Sequence, residues 1–237
     1  MQQDTTRRGF MQTTVAMGGG LWLAGCTSGQ HGPGEGPQDA EHEQEVSPAE
    51  DLMREHGVLK RVLLVYGECV RRLDGEEDLP PQPLADAARI IREFIEDYHE
   101  KLEEDYLFPR FRRAHVHVEL VDVLLAQHQA GRRLTERTLH LATPRALRRP
   151  DDRRALADAL TQFIRMYSPH EAREDTVLFP ALRKIVTSNE YDALGEEFEE
   201  KEHQLFGEEG FDRMVDRVAS IEKALGLYEL AQFTPKV

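Results

Sequence analysis

The chain has 237 residues, 40% of them hydrophobic, and a formal net charge of −14, from 44 acidic side chains against 30 Lys and Arg. That length suits one domain plus a tail, and the apolar content is enough for a packed core. The acidic balance excludes a nucleic-acid partner, because phosphate contact requires a basic surface and the cations here are interleaved with acids. With only two cysteines, Cys26 and Cys69, the fold is not expected to rest on a disulfide.

Residues 1–25 read as an export signal. Arg7-Arg8 precede Gly9-Phe10-Met11 and a mildly apolar stretch over 15–24 that is too short to span a bilayer. The pattern resembles a twin-arginine signal, and Leu23-Ala24-Gly25-Cys26 resembles the lipobox of bacterial lipoproteins. It implies export of the folded protein, cleavage before Cys26, a lipid anchor on Cys26 and a place in the periplasm or cell envelope. In a Gram-negative source, Thr27 after the anchored cysteine implies the outer membrane. Residues 26–46 are rich in Gly, Pro, Gln and acids, and too poor in apolar groups to offset the entropy of ordering. They read as a flexible acidic tether, with His31 and His42 as bystanders.

Helices follow. Ser47-Pro48-Ala49-Glu50 is a capping box with proline at the first helical position, opening a helix to about Leu73. Asp74-Gly75, Pro80, Pro81 and Pro83 interrupt the chain, after which Ile91, Ile95, Leu102 and Tyr106 recur at helical spacing. A third helix is expected over 118–141, and a fourth from about 151 to 186. Thr187-Ser188-Asn189-Glu190 is a second capping box, opening a helical extension to about Gly226. No stretch alternates with period two. The expectation is an all-α, antiparallel four-helix bundle over 47–186 with a C-terminal helical extension over 187–237.

One segment occurs twice. His99-Glu100-Lys101-Leu102-Glu103 runs on to Leu107-Phe108-Pro109, and His170-Glu171-Ala172-Arg173-Glu174 runs on to Leu178-Phe179-Pro180. The copies fall on the second and fourth helices, which implies a duplicated helix pair around one central site. A His and the Glu four positions later sit about 40° apart around a helix with a rise of about 6 Å, so both can reach one ion. Each pair shares its stripe with apolar residues, where an unpaired imidazole and carboxylate would be costly to bury and a metal removes that cost. His56 on the first helix and His128 on the third occupy corresponding apolar faces, once per half.

The order His56, His99-x-x-x-Glu103, His128, His170-x-x-x-Glu174, with the paired Leu-Phe-Pro segments, resembles the bacterial hemerythrin-like, or HHE cation-binding, family over about 47–186. That resemblance implies two non-haem iron ions shared among the four histidines, with two bridging glutamates and an open position for dioxygen, peroxide or nitric oxide. By ligand type manganese also fits, and zinc less well. Asp175 stands at the spacing where animal hemerythrins use an aspartate, so either it or Glu174 could be the second bridge; Glu174 is favoured, because it matches Glu103 in the repeat. Arg132 occupies a place where oxygen-carrying animal hemerythrins have a further histidine, which argues against simple oxygen carriage. His203 is a candidate seventh ligand, and Glu100, Glu171, Tyr106 and Tyr167 are candidate partners of the ligands. His115, His117 and His140 read as surface residues at helix ends, and Cys69 as a small buried hydrophobe. The function expected is binding, sensing or reduction of a small oxidant, with metal storage or a structural metal as the alternative.

Overall fold

The computed structural model describes residues 46–236. The Arg7-Arg8 signal, the Cys26 anchor, and the tether with His31 and His42 lie outside the described residues. Among the described residues the regular structure is helical throughout, without a strand.

Helix α1, Pro48–Asp74, begins where the capping box places it: the Ser47 hydroxyl accepts from the Glu50 N–H at 3.3 Å. Helix α2 is one continuous run over 81–114, and α3 is Val118–Leu141. His115 and His117, both left-handed with φ of 55° and 49°, make the turn between them. Helix α4 runs over 150–185. Helix α5, Ser188–Phe206, opens on the reciprocal Thr187 and Glu190 capping box.

The C-terminal extension is two helices rather than one. Gly207, at φ 74°, ends α5, and α6 is Gly210–Leu225. A side chain at Gly210 would place its Cβ 2.7 Å from Oε1 of Glu202 and 2.8 Å from Cβ of Phe206, so glycine there lets α6 fold back against α5.

Neither α2 nor α4 is uniformly α-helical. Wider π-helical turns occupy Ile91–His99 and Glu103–Leu107 in α2, and Glu174–Leu178 in α4. The repeated Leu-Phe-Pro segment accounts for the matched pair. Pro109 and Pro180 have no N–H for the regular ladder, and the preceding Phe108 and Phe179 N–H groups reach back five residues, to the carbonyls of Glu103 and Glu174. Each π turn therefore begins on the glutamate of a His-x-x-x-Glu motif.

Helices α1 to α4 form a closed ring, α1 against α2 and α4, and α3 against α2 and α4. Helix α6 lies along α1 and α2, pinned by Arg61, which donates to both carboxylate oxygens of Glu222 at 2.9 and 2.6 Å, and by Arg72 to the Leu225 carbonyl at 2.8 Å. The interior includes Tyr66, Phe94, Phe163, Leu52, Leu59 and Leu84, all essentially inaccessible. Each such leucine or phenylalanine contributes about 1.5–3 kcal/mol. Four histidines and a set of glutamates are buried in the same interior.

Candidate metal centre

Helix α1 supplies His56, α2 His99 and Glu103, α3 His128, and α4 His170 and Glu174; none of the six is more than 4% exposed. The imidazoles form two pairs, His56 with His99 at 4.7 Å between ring centroids, and His128 with His170 at 5.1 Å. Glu174 Oε2 lies 3.5 Å from His56 Nε2 and 3.2 Å from His170 Nε2. Glu103 lies 3.8 Å from His99 Nε2 and 3.3 Å from His128 Nε2. Each carboxylate thus reaches one imidazole of each pair. Ligand atoms of Glu103, His128, His170 and Glu174 all lie within 4.8 Å of one another, as do those of His56, His99 and Glu103.

The other ring nitrogen of every histidine is held from behind. Nδ1 of His56 meets Asp175 at 2.7 Å, that of His99 meets Glu55 at 2.7 Å, that of His128 meets Glu104 at 3.1 Å, and that of His170 meets the Gln127 side-chain oxygen at 2.8 Å. An acceptor at Nδ1 fixes the ring with its proton there and leaves the Nε2 lone pair facing the glutamates. Rings from the repeat close the flanks: Phe179 stacks on His56 and Phe108 on His128, each at 5.5 Å.

Electrostatics separate the six. Burial pushes His99 down to about 3, helped by the neighbouring His56, and pushes His128 down to about 4 against the pull of Glu104. Both are therefore neutral, as ligation requires. Burial acts the same way on His56, but its contacts with Asp175 and Glu174 outweigh it and raise the ring to about 9. Burial, then the charges of Glu174 and Glu100, lift Glu103 well above the usual carboxylate range. Glu174 moves the other way, because His170 and His56 overcome its burial. Without metal these surroundings favour the protonated forms of His56 and Glu103, and an incoming cation would have to displace those protons.

A metal fits these residues. Both side-chain oxygens of Glu103, both of Glu174, and Nε2 of His128 are buried without a hydrogen-bond partner. Leaving such groups unmet costs about 1–3 kcal/mol each, more when charged, and a cation among them supplies the missing partner.

The family model described as the hemerythrin HHE cation binding domain matches this chain over residues 47–147 and again over 120–235. The chain belongs to the hemerythrin HHE family. It is 48% identical to uncharacterized proteins of Mycobacterium bovis and of two Mycobacterium tuberculosis strains, over 231 residues that cover 97% of this chain and 91% of each relative. No solved structure matches it. Membership of the HHE family implies metal binding, and the His and Glu cluster is a group that could hold the ion.

Several residues weighed from sequence fall elsewhere in this HHE bundle. His203 does not join the six. The α5 residue that turns inward is its neighbour Glu202, buried and grouped with Asp51 and Glu55, which leaves His203 rotated about 100° away and half-buried. Asp175 is engaged at Nδ1 of His56 and by Lys60 at 3.1 Å, so the oxygen shared between the pairs comes from Glu174. Tyr106 donates to Glu197 at 2.8 Å, away from the centre. Tyr167 does stand beside it, with its ring 5.2 Å from His170 and its hydroxyl donating to Glu100 at 2.5 Å. Glu171 is buried near Lys60 and His56, and burial raises its carboxyl to about 7. Arg132, in place of a further histidine, pairs with Glu100 at 2.8 Å and Glu104 at 2.7 Å. His115, His117 and His140 are exposed, and Cys69 is a buried free thiol.

Sequence reasoning missed the supports Glu55, Glu104 and Gln127. A signal existed: Glu55 and Gln127 each immediately precede the lone histidine of their half, and Glu104 and Asp175 each immediately follow the motif glutamate.

Proposed function

We propose that the HHE centre binds two non-haem iron ions and uses them to bind, sense or reduce a small oxidant: dioxygen, peroxide or nitric oxide. The observation that carries this reading is that Glu103 and Glu174 each reach one imidazole of both histidine pairs while all four of their oxygens lack a hydrogen-bond partner. His56 and His99 would hold one ion and His128 and His170 the other, with the two carboxylates between them. Bound there, iron supplies electron transfer to a diatomic or peroxide molecule and coordination positions that the four protein donors per ion leave free. The protein supplies the rest. Four Nδ1 acceptors orient the imidazoles, and Phe108 and Phe179 keep water off the two rings they cover. Arg132 holds Glu104 against His128.

The test is direct. The purified chain is expected to hold two irons, and its reduced form to change spectrum on addition of dioxygen, peroxide or nitric oxide. An iron-free protein, or reduced iron inert to all three, overturns the reading and leaves metal storage or a structural metal in its place. An envelope address completes the proposal, motivated by Arg7, Arg8 and the lipobox at Cys26. A Cys26→Ala chain is expected to leave the membrane fraction; a variant that stays there removes the anchor.

A further inference from the structure

The two halves of the centre match in their ligands and differ in what stands behind them. His99 and His170 occupy equivalent places in the repeat, yet Nδ1 of His99 faces the Glu55 carboxylate at 2.7 Å and Nδ1 of His170 faces the Gln127 amide oxygen at 2.8 Å. His56 and His128 are equivalent too, and both meet a carboxylate. The carboxylate behind His56, Asp175, has one cation partner, Lys60, at 3.1 Å, and that lysine is half exposed. The one behind His128, Glu104, is divided between Arg132 at 2.7 Å and Lys101 at 2.5 Å. Glu100 does not make up the difference: it lies 4.0 Å from His128 Nδ1, beyond hydrogen-bond reach, and is engaged by Tyr167 and Arg132.

An imidazole whose Nδ1 proton is drawn toward a carboxylate has a more electron-rich Nε2 and is a stronger metal donor; a neutral amide, or a carboxylate already paired with cations, draws that proton less. Both differences act in the same direction. We infer that the two ion positions are unequal, the His56–His99 position binding metal more tightly and the His128–His170 position more weakly, with the exchange of Glu55 for Gln127 between the halves as the principal determinant. The inference rests on the two-ion reading of the centre. It makes Gln127 a positioning residue that acts through His170 and sets the affinity of one position without touching the ion.

The experiment is a calorimetric titration of the full chain, stripped of metal, with ferrous iron in the absence of oxygen, repeated in buffers of different ionisation enthalpy so that the proton displaced from His56 is counted and the two affinities refer to the neutral rings. Two ions are expected to bind in two steps separated by about 10–100-fold in affinity, the range that the partners of metal ligands command. Gln127→Glu is expected to tighten the weaker step and narrow the gap. Glu55→Gln, which keeps the shape and removes the charge, is expected to loosen the tighter step by a similar factor and narrow the gap from the other side. A purely structural role for Gln127 would give weakening, not tightening, so the direction distinguishes the two. If the glutamate variant fails to fold, as read by circular dichroism, the Glu55→Gln titration decides alone. Two equal steps in the natural chain, or substitutions that leave the gap unchanged, overturn the inference while the two-ion reading stands. Uptake of fewer than two ions overturns that reading and the inference with it.

Discussion

A Glu174→Ala chain is expected to bind at most one ion where the natural chain binds two, with affinity for metal at the centre lowered more than ~100-fold. Changes to residues that merely support a ligand cost about 10–100-fold, and Glu174 does more than support. Its Oε2 faces Nε2 of His56 in one pair and of His170 in the other, so its loss removes a donor from both positions at once. The metal-free state loses an interaction as well: Glu174 lies 3.5 Å from His56 Nε2 and 3.2 Å from His170 Nε2, and these rings hold its carboxyl below the usual range in spite of its burial. In excess chelator the variant should therefore melt below the natural chain, and in saturating metal the deficit should widen. Measuring metal per chain together with both melts checks this. A variant that retains two ions, or whose deficit is no larger in metal than in chelator, would falsify the assignment of Glu174 as a metal ligand.

Gly131→Ala should lower the melting temperature by about 2–20 °C, although alanine is the better helix former. In an exposed helix that exchange stabilises by about 1 kcal/mol. At position 131 of α3, however, an added Cβ would lie 2.1 Å from the Tyr167 hydroxyl and 2.8 Å from two of its ring carbons. Tyr167 is 1% exposed and stacked on Phe163 at 4.3 Å, so the ring has little room to retreat. Overpacking of this kind costs about 1–3 kcal/mol. Displacing the hydroxyl also takes a hydrogen bond from the buried Glu100 carboxyl, which burial already lifts to about 8, at about 1–3 kcal/mol more. The net loss is about 1–5 kcal/mol, and in a domain of this size each kcal/mol lowers the melting temperature by about 2–4 °C. Thermal unfolding followed by circular dichroism reads it. An unchanged or raised midpoint would mean that Tyr167 moves aside freely.

The placing of each His-x-x-x-Glu motif on one helix face follows from local pattern. Helical spacing fixes which residues share a stripe, so His99 with Glu103 and His170 with Glu174 were legible as converging donors, and the matched Leu-Phe-Pro segments marked the duplication. What that pattern leaves open is which residue on a different helix meets a given atom. The repeat favoured Glu174 over Asp175 as a bridge, and the packing of α4 against α1 shows what Asp175 does instead, its carboxylate meeting Nδ1 of His56. His203 had apolar neighbours and an acidic setting, yet the rotation of α5 turns Glu202 inward instead.

The amino-acid sequence by itself determined the four helices of the bundle, the caps at Ser47 and Thr187 and the internal repeat, because these depend on interactions within a few residues along the chain. Tertiary structure decided the partners: Glu55 from α1 behind a histidine of α2, Gln127 from α3 behind one of α4, and Arg132 drawn to the acids of α2 rather than serving as a ligand. Hydrogen bonds between helices depend on axial offset and rotation, which the packing of the whole core sets. A one-residue change in phase turns a side chain by about 100°, enough to exchange a support for a bystander.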